Sequence, residues 1–296
     1  MKVLNFGSLN IDYVYQVERF ALPGETIPSS KMERFCGGKG LNQSVALARA
    51  GVSVSHAGCI GSDGEFLIKE LETSGVKTEK ICVLPSSSGH AIIQVDAKGE
   101  NTILLYPGAN HQITCEQIDE ALMEYGSDDV LLLQNEISKI PYIMERAHEK
   151  GMKIFFNPSP FTEAVFQYPL HLVSCFLVNR LEGVALSGEQ DPDKILTGIR
   201  KRFPEAQIVL TLGKEGAYYE NRVSTFFQPA FSVQTVDTTA AGDTFTGYFI
   251  AELLHGSEPN AILRCACGAS ALAVSRMGAS PSIPTEKEVR AFLHVE

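Results

Sequence analysis

Short apolar runs alternate with helical segments along most of the 296-residue chain, and this alternation constrains the fold more than any other feature. Runs such as DVLLLQNE, KIFFNP and QIVLTLG are almost entirely apolar, as parallel strands buried on both faces are. The segments between them carry helix start signals, including Thr114 with Gln117 as a capping box and the pair Asp191-Pro192. Right-handed crossovers then predict an α/β fold, a three-layer sandwich with a mostly parallel central sheet and helices on both faces.

Two regions break the alternation. Residues 11–20 place Ile11, Tyr13, Tyr15 and Val17 on one face at period two, and residues 90–108 read as a hairpin that turns near Lys98-Gly99. We expect these strands to form a small separate β-sheet, a lid, although extra edge strands of the main sheet are the alternative. A lid sheet with one apolar face invites a partner that covers it, so we expect a homodimer formed through the lid. The predicted units are an α/β core of 1–10, 38–88 and 109–296, and a lid of 11–37 and 89–108.

Composition limits the class of partner and the compartment. A net charge of −10 and a pI of about 5.3 argue against a nucleic-acid partner, but not against a small phosphorylated ligand. Seven cysteines without a C-x-x-C pair indicate neither a disulfide framework nor a zinc site. We find no signal-peptide pattern and no apolar stretch of about 18 residues, so we expect a cytoplasmic protein without a membrane span.

Polar residues recur where the predicted strands end. Asn10 and Asp12 follow the first strand, Glu136 follows a later one, and Asn179 with Glu182 follows another. Ligands of open α/β sheets bind outside the carboxyl ends of the strands. Each residue alone is more simply a cap or turn residue, but their accumulation predicts a site at this edge.

The stretch VDTTAAGDTFTG places Asp243 at the start of a predicted helix, directly after the small residues Ala240, Ala241 and Gly242. An acidic residue there is an ordinary helix-start feature, because it complements the unpaired amides and the helix dipole. The small residues also leave amides bare for an anion, and the carboxylate can take a proton. The stretch alone leaves both interpretations open.

The stretch CGGKGLNQ is a second glycine-rich helix entry. It is not a Walker A loop, because Lys39 is followed by Gly40 rather than Ser or Thr, and it is not G-x-G-x-x-G. Its glycines allow close approach of the backbone to a ligand, and Lys39 and Asn42 supply hydrogen-bond donors.

Together, CGGKGLNQSVALARAG and DTTAAGDTFTGYF resemble the two signatures of the ribokinase, or PfkB-type, carbohydrate kinase family. Further elements follow in the family's order over nearly the whole chain, among them GSLNID, GCIGSDGEF, NRLE and TLGKEG. The resemblance implies the ribokinase-like fold with a β-sheet lid. It also implies ATP-dependent phosphorylation of the terminal hydroxyl of a pentose, and D-ribose is the substrate we expect. Another acceptor, such as deoxyribose, fructose or a nucleoside, and a non-catalytic sugar-binding protein are the alternatives.

The resemblance also implies roles for individual residues. Asp243 would be the general base, and the amides of Ala240, Ala241, Gly242 and Asp243 would form an anion hole. The implied sugar contacts are Asn10, Asp12, Gly38, Lys39, Asn42, Glu136 and Asp243. The implied nucleotide contacts are Asn179, Glu182, Thr211, Gly213, Gly216, Gly242 and Cys267. Cys267 departs from the family, in which a polar side chain is common at that position.

Two cations complete what the resemblance implies. Mg²⁺ would accompany ATP, organised through water by Asn179 and Glu182, which suits an ion that keeps several of its waters. A potassium ion would stiffen the anion hole. Its implied ligands are Asp237, Thr239, Ala273, Arg276, Gly278 and Ser282. For Asp237, a turn-capping role is an equal alternative.

Overall fold

The computed structural model describes residues 1–294 and contains two β-sheets. Its strands are β1 (Val3–Phe6), β2 (Asn10–Gln16), β3 (Lys31–Gly37), β4 (Val54–Gly61), β5 (Lys77–Leu84), β6 (Gly89–Val95), β7 (Asn101–Tyr106), β8 (Val130–Gln134), β9 (Lys153–Asn157), β10 (Val173–Asn179), β11 (Gln207–Thr211), β12 (Gly216–Glu220) and β13 (Thr225–Pro229). The central sheet has the order β13-β12-β11-β10-β9-β8-β1-β4-β5, and only β12 runs in the opposite direction, antiparallel to both β11 and β13. The predicted mostly parallel sheet is confirmed.

Helices cover both faces of the central sheet. They are α1 (Lys39–Arg49), α2 (Glu65–Thr73), α3 (Cys115–Leu122), α4 (Ile140–Glu149), α5 (Arg180–Ser187), α6 (Pro192–Arg202), α7 (Ala241–His255), α8 (Pro259–Val274) and α9 (Glu286–Leu293). Alternate residues of one strand enter opposite cores: Val3 packs with α1, α2, α7, α8 and α9, whereas Leu4 packs with α3 to α6. This period of two produces the predicted three layers. None of the helices within residues 1–294 has the length and apolar character to cross a membrane.

The helix start signals act as predicted, whereas one helix end differs and one strand was not predicted. Thr114 and Gln117 form the predicted capping box, and the Asp191 side chain accepts hydrogen bonds from two amides at the start of α6. Gly126 predicts the end of the helix that Thr114 starts, but α3 already ends at Leu122. The sequence pattern missed β5, because this edge strand is half exposed and carries no continuous apolar run.

The second sheet, with the order β3-β2-β6-β7, is separate from the first. The alternative of extra edge strands is therefore wrong. The β6–β7 hairpin turns where predicted, since the Gly99 amide donates to the Asp96 carbonyl. Ile11 is fully buried in the core of the α/β unit and Tyr13 packs against it, so this face of the lid is held by the chain itself. The proposed domain boundaries stay a prediction, and residues 295 and 296 of the core segment lie outside the described part.

Four neighbouring strands of the central sheet end in a polar residue. Gln134, Asn157, Asn179 and Thr211 are the last residues of β8, β9, β10 and β11. Parallel strands bring these ends to one edge, where the start of α7 also lies, since Asn157, Asn179 and Thr211 line a cavity together with Asp243. The fold thus provides a polar edge facing a helix start.

Helices α1 and α7 approach each other closely at Gly247. A Cβ atom on Gly247 would lie 2.4 Å from the Ala46 Cβ and 2.8 Å from the Leu47 amide nitrogen. Both neighbours belong to the rigid part of α1, so they cannot rotate away. The glycine therefore sets the distance between the two helices.

We expect Gly247→Ala to lower the free energy of unfolding by about 1–3 kcal/mol, because the methyl group overpacks a filled helix contact. Urea denaturation would measure the change. Gly126→Ala is the matched control, since nothing lies within 4 Å of a Cβ atom at Gly126. Equal stabilities of the two variants would contradict the prediction.

Candidate active site

The start of α7 leaves two backbone amides available to a ligand. Ala240, the residue before the helix, has a left-handed backbone with φ of 58° and gives no side-chain cap. Thr244 is the first residue with a regular helical bond, a 2.8 Å contact to the Ala240 carbonyl. Within residues 1–294, the amides of Gly242 and Asp243 donate to no protein acceptor, and neither does the amide of Ala240 just before the helix. The Ala241 amide was expected to belong to the anion hole, but it donates to the Thr238 carbonyl at 3.3 Å.

The Asp243 carboxylate is buried, with 6% of the residue exposed, and is held by three side chains of α1. Gln43 Nε2 donates to Oδ1 at 2.9 Å, and Asn42 Nδ2 donates to Oδ2 at 3.2 Å. Lys39 Nζ lies 3.9 Å from Oδ1, and Asp243 is the main reason why the pKa of Lys39 is raised. This contact keeps a positive charge beside the carboxylate.

Two adjoining cavities open at this point. The larger, about 430 Å³, is lined by the start of α7, Lys39, Asn179, Thr211 and Gly213. The smaller, about 60 Å³, reaches deeper, to Asn157, Glu182 and Thr246. Asp243, Gly242, Lys39, Asn179 and Thr211 line both. The carboxylate and the available amides therefore face one space.

The residues expected at the nucleotide divide into two groups. Asn179, Glu182, Thr211, Gly213 and Gly242 line the cavities. Gly216 and Cys267 line neither cavity. Strand packing explains why a glycine stands at position 216, because a Cβ atom there would lie 2.1 Å from the Gln228 carbonyl oxygen of the next strand. Cys267 lies on α8 and is 7% exposed, buried in the apolar core on that side of the sheet. This burial raises the pKa of its thiol to about 12.

Asn179 and Glu182 form a reciprocal cap at the start of α5. The Asn179 side chain accepts from the Glu182 amide at 3.0 Å, and the Asn179 amide donates to Glu182 Oε2 at 2.9 Å. Asn179 Nδ2 also donates to Glu182 Oε1 at 2.9 Å. Both carboxylate oxygens are thus occupied within the protein, which suits contact with an ion through water.

The residues expected at the sugar gather where the lid meets α1. Glu136 Oε2 accepts from the Ser8 hydroxyl and, at 2.9 Å, from the Lys39 amide. Asn10 Oδ1 accepts from Asn110 Nδ2 at 2.8 Å. Gly38, with φ of 93°, forms the turn that leads into α1. Asn42 Oδ1 is a buried acceptor that has no hydrogen-bond partner within residues 1–294.

Asp12 is a carboxyl group with a strongly raised pKa in this region. Burial, and secondarily the charge of Glu136, raise its pKa from 3.8 to about 7. Burial likewise raises the pKa of Glu136, although Lys39 and the Ser8 hydroxyl oppose the shift. A Cβ atom on Gly37 would lie 2.0 Å from Asp12 Oδ2, so the lid strand β3 encloses this carboxyl group only because it ends in glycine.

The residues expected at potassium lie on two segments, the residues just before α7 and the end of α8 with the residues that follow it. Asp237 Oδ1 accepts from the Thr239 amide at 2.9 Å and from its hydroxyl at 2.7 Å, and Oδ2 accepts from the Gly278 amide at 2.9 Å. Asp237 therefore does cap a turn, the alternative role considered from the sequence. The Ala273 carbonyl accepts from the Arg276 amide, and the Arg276 side chain pairs with Glu288. The Ser282 hydroxyl donates to the Ala279 carbonyl.

Sequence reasoning missed four polar residues of the site. Gln43 and Asn157 contact Asp243 directly or through one side chain, Asn110 orients Asn10, and Ser8 donates to Glu136. Gln43 belongs to the stretch CGGKGLNQ, and its place in that stretch was the signal that the sequence offered. Ser8 lies in a loop and Asn110 in a short 3-10 helix, where such residues are common.

We expect Asp12→Asn to stabilise the protein at pH 8 by at least about 1 kcal/mol and to change little at pH 4.5. Between pH 4 and pH 7 the unfolded chain has lost the Asp12 proton while the native state keeps it, so stability falls as pH rises through the native pKa of about 7. The neutral amide removes this loss. Urea denaturation at both pH values measures it, with the exposed Asp128→Asn as control. An equal change at both pH values would refute the assignment.

Comparison with known proteins agrees with this geometry. The model of the pfkB family of carbohydrate kinases matches residues 1–286. A ribokinase of Haemophilus influenzae is 34% identical over 97% of this chain and 96% of its own. A ribokinase of Cryptococcus neoformans, solved with ADP, is 33% identical over 98% of both chains, with a TM-score of 0.86. A ribokinase of Arabidopsis thaliana, solved with ribose and ATP, is 26% identical over 100% of this chain and 99% of its own, with a TM-score of 0.87. This chain belongs to the pfkB family of carbohydrate kinases, enzymes that transfer a phosphoryl group to an alcohol.

Proposed function

We propose that this chain transfers the γ-phosphoryl group of ATP to the terminal primary hydroxyl of D-ribose, giving ribose 5-phosphate and ADP. One observation carries the proposal: the Asp243 carboxylate and two amides without protein acceptors face one cavity at the start of α7. The ribokinases that match the chain over almost its full length support the choice of sugar.

Asp243 is the general base of the proposed reaction. The sugar hydroxyl holds its proton far above neutral pH, so the proton must leave as the new oxygen–phosphorus bond forms and the bond to ADP breaks. Asp243 accepts it, and a positioned base of this kind contributes about 10²–10⁴-fold. Asn42 and Gln43 hold one carboxylate oxygen each, which aims the remaining lone pairs at the cavity.

The start of α7 stabilises the charge on the transferred group. Phosphoryl transfer depends mostly on positioning and on charge stabilisation. The Gly242 and Asp243 amides provide two aligned donors, and removal of one such donor typically costs about 10²–10³-fold in rate. A Cβ atom on Gly242 would meet nothing within 4 Å, so the glycine keeps this space open rather than serving the packing.

The sugar is proposed to lie between the lid and α1, in contact with Asn10, Asp12, Gly38, Lys39, Asn42 and Glu136. Asp12 and Glu136 are partly exposed carboxyl groups whose pKa values are raised mainly by burial, and additional hydrogen-bond donors would stabilise their ionised forms. A polyhydroxylated ligand supplies those donors, and one of its hydroxyl groups can also satisfy the buried Asn42 Oδ1.

ATP is proposed to occupy the larger cavity, with Asn179, Thr211, Gly213 and Gly242 along it. Mg²⁺ bound to its phosphates would neutralise their charge. The Asn179–Glu182 cap fits an outer role for this ion, because both carboxylate oxygens already accept hydrogen bonds and Mg²⁺ retains water ligands. Gly216 and Cys267 stay predicted contacts of the adenosine part.

A potassium ion is proposed beside the anion hole. The fit is chemical: Asp237, Thr239 and Ser282 supply oxygen atoms, and the Ala273, Arg276 and Gly278 carbonyl groups complete the set that a hard cation prefers. Asp237 already links Thr239 to Gly278, so an ion here would stiffen the segment that leads to Ala240.

We expect Asp243→Asn to lower kcat at least about 100-fold and to leave sugar binding nearly normal, because it keeps the size and removes the base. ADP release measures kcat, and calorimetry with ribose measures binding. A kcat within threefold of the unchanged protein would exclude Asp243 as the base.

The acceptor panel decides the sugar and the enzymatic class. Ribose, 2-deoxyribose, fructose and a nucleoside are compared with Mg-ATP, each with and without potassium. Ribose with the highest kcat/KM supports the proposal, and another sugar in that place overturns the choice of ribose. Sugar binding without ADP release would leave a non-catalytic binding protein.

The lid is proposed to join two copies of the chain. The strand register puts Val14, Phe35, Ile93, Ile103 and Leu105 on the face that also carries Asp12. We call these five residues the outer apolar face. Ile103 is 59% exposed and Leu105 46% exposed, whereas Ile11 and Tyr13 on the opposite face pack on the chain's own core. A second copy would cover this apolar area.

We expect the double change Ile103→Lys and Leu105→Lys to produce monomers, because two charges would be buried in the dimer contact. Analytical ultracentrifugation would show twice 32.2 kDa for the unchanged protein and 32.2 kDa for the variant. Leu104→Lys is the matched control, since this neighbouring residue of β7 is 67% exposed on the opposite face. A monomeric unchanged protein, or a dimeric double variant, would contradict the proposal.

A further inference from the structure

A buried polar side chain in the glycine-rich stretch contacts the proposed base without lining either cavity. Gln43, on α1, is fully buried. Its Nε2 group donates one hydrogen to Asp243 Oδ1 at 2.9 Å and the other to Asn157 Oδ1 at 3.1 Å. Gln43 does not line either cavity, so it acts on the site only through Asp243 and Asn157.

The hydrogen bonds continue from Gln43 into the interior. Gln43 Oε1 accepts from Gln134 Nε2 at 2.6 Å, and the same Gln134 nitrogen donates to Asn5 Oδ1 at 2.9 Å. Asn5 Nδ2 donates to the Ser44 hydroxyl oxygen at 2.8 Å and to the Gly40 carbonyl at 2.7 Å. Each of these side chains is at most 1% exposed.

The chain of hydrogen bonds ends at His56 on β4. Ser44 Oγ lies 2.8 Å from His56 Nδ1, and His56 Nε2 lies 3.2 Å from the Gly7 carbonyl oxygen. Because a carbonyl only accepts, Nε2 carries the proton. Complete burial lowers the pKa of His56 to about 4, so the ring is neutral and Nδ1 accepts from Ser44.

The two ends determine the direction of every bond between them. A carboxylate only accepts, so Gln43 must turn its NH₂ group to Asp243 and its oxygen to Gln134. Gln134 must then donate to Asn5, and Asn5 must donate to Ser44, whose own hydrogen goes to His56. Side-chain amides can usually be placed either way round. Here a reversed amide would bring two donors or two acceptors together inside the core.

We propose that this hydrogen-bonded chain, Asp243–Gln43–Gln134–Asn5–Ser44–His56, positions the catalytic carboxylate, with Gln43 as the positioning residue. The inference rests on the proposed role of Asp243 as base. Rotation of the carboxylate away from the cavity would break a charge-assisted hydrogen bond and leave a buried donor unpaired. The alternative is a purely structural network that joins β1, β4, β8 and α1 without effect on the reaction.

Two variants separate positioning from structure. Gln43→Met keeps the length and volume but removes the donor, and we expect kcat to fall about 10- to 100-fold while the KM for ribose changes less than threefold. Gln117→Met is the matched control. Gln117 belongs to the capping box of α3, so this change removes hydrogen bonds of similar number far from Asp243 and leaves kcat unchanged.

Gln43→Glu adds a readout that a structural role would not move. The new carboxyl group would face Asp243 and Asn157 Oδ1, with Lys39 and Glu182 as the nearest other charges. Protonated, it can donate to Asp243, whereas ionised it repels the base. We therefore expect kcat of this variant, relative to the unchanged protein, to fall at least tenfold as pH rises from 6 to 9. This variant decides the question if Gln43→Met does not fold.

A pH-independent ratio for Gln43→Glu, or a kcat of Gln43→Met that falls only with the folded fraction measured by circular dichroism, would overturn the inference. The proposed function is judged separately in the same assay. If the unchanged protein releases ADP only with ribose and Asp243→Asn abolishes this release, the proposed function is supported. This holds even when both Gln43 variants behave as the unchanged protein does.

Discussion

The contact between α1 and α7 is the constraint on which the site depends. Gly247 lets the two helices approach until α1 can hold the carboxylate of α7 through Asn42 and Gln43. The helices come from opposite ends of the chain, so neither can form the site alone. Because Lys39 starts the same helix α1, one packing distance determines the positions of the proposed base, the Lys39 ammonium group and the proposed sugar contacts of α1 together.

Several features of the site cost folding free energy. Asp12 is enclosed with a raised pKa, Ala240 adopts a left-handed backbone, and Asn42 Oδ1 is a buried acceptor without a partner. Strain and unpaired groups of these kinds cost on the order of 1–3 kcal/mol each. The remainder of the fold supports them through two large apolar cores, one on each face of the central sheet. A bound sugar and nucleotide would return part of this free energy as binding.

Much of the fold could be predicted because its signals are local. Apolar runs such as those of β8 and β11 report burial on both faces, and capping residues such as Thr114 mark helix starts. Strand β5 could not be found this way, because an edge strand that is half exposed lacks the apolar run. In the site, the two glycine-rich stretches identify Asp243 and Lys39, but the partners of Asp243 come from residues about 200 positions away.

The sequence by itself determined the order of the helices and of most strands, the helix start that bears Asp243, and the family resemblance, because each rests on short stretches of adjacent residues. Only the tertiary structure decided that the lid presents Asp12 on its apolar outer face, that the Ala241 amide is already engaged, and that a polar chain runs from Asp243 to His56. The reason is geometric. Hydrogen-bond direction and helix separation depend on distances between segments far apart in sequence, and no local pattern encodes a distance across the core.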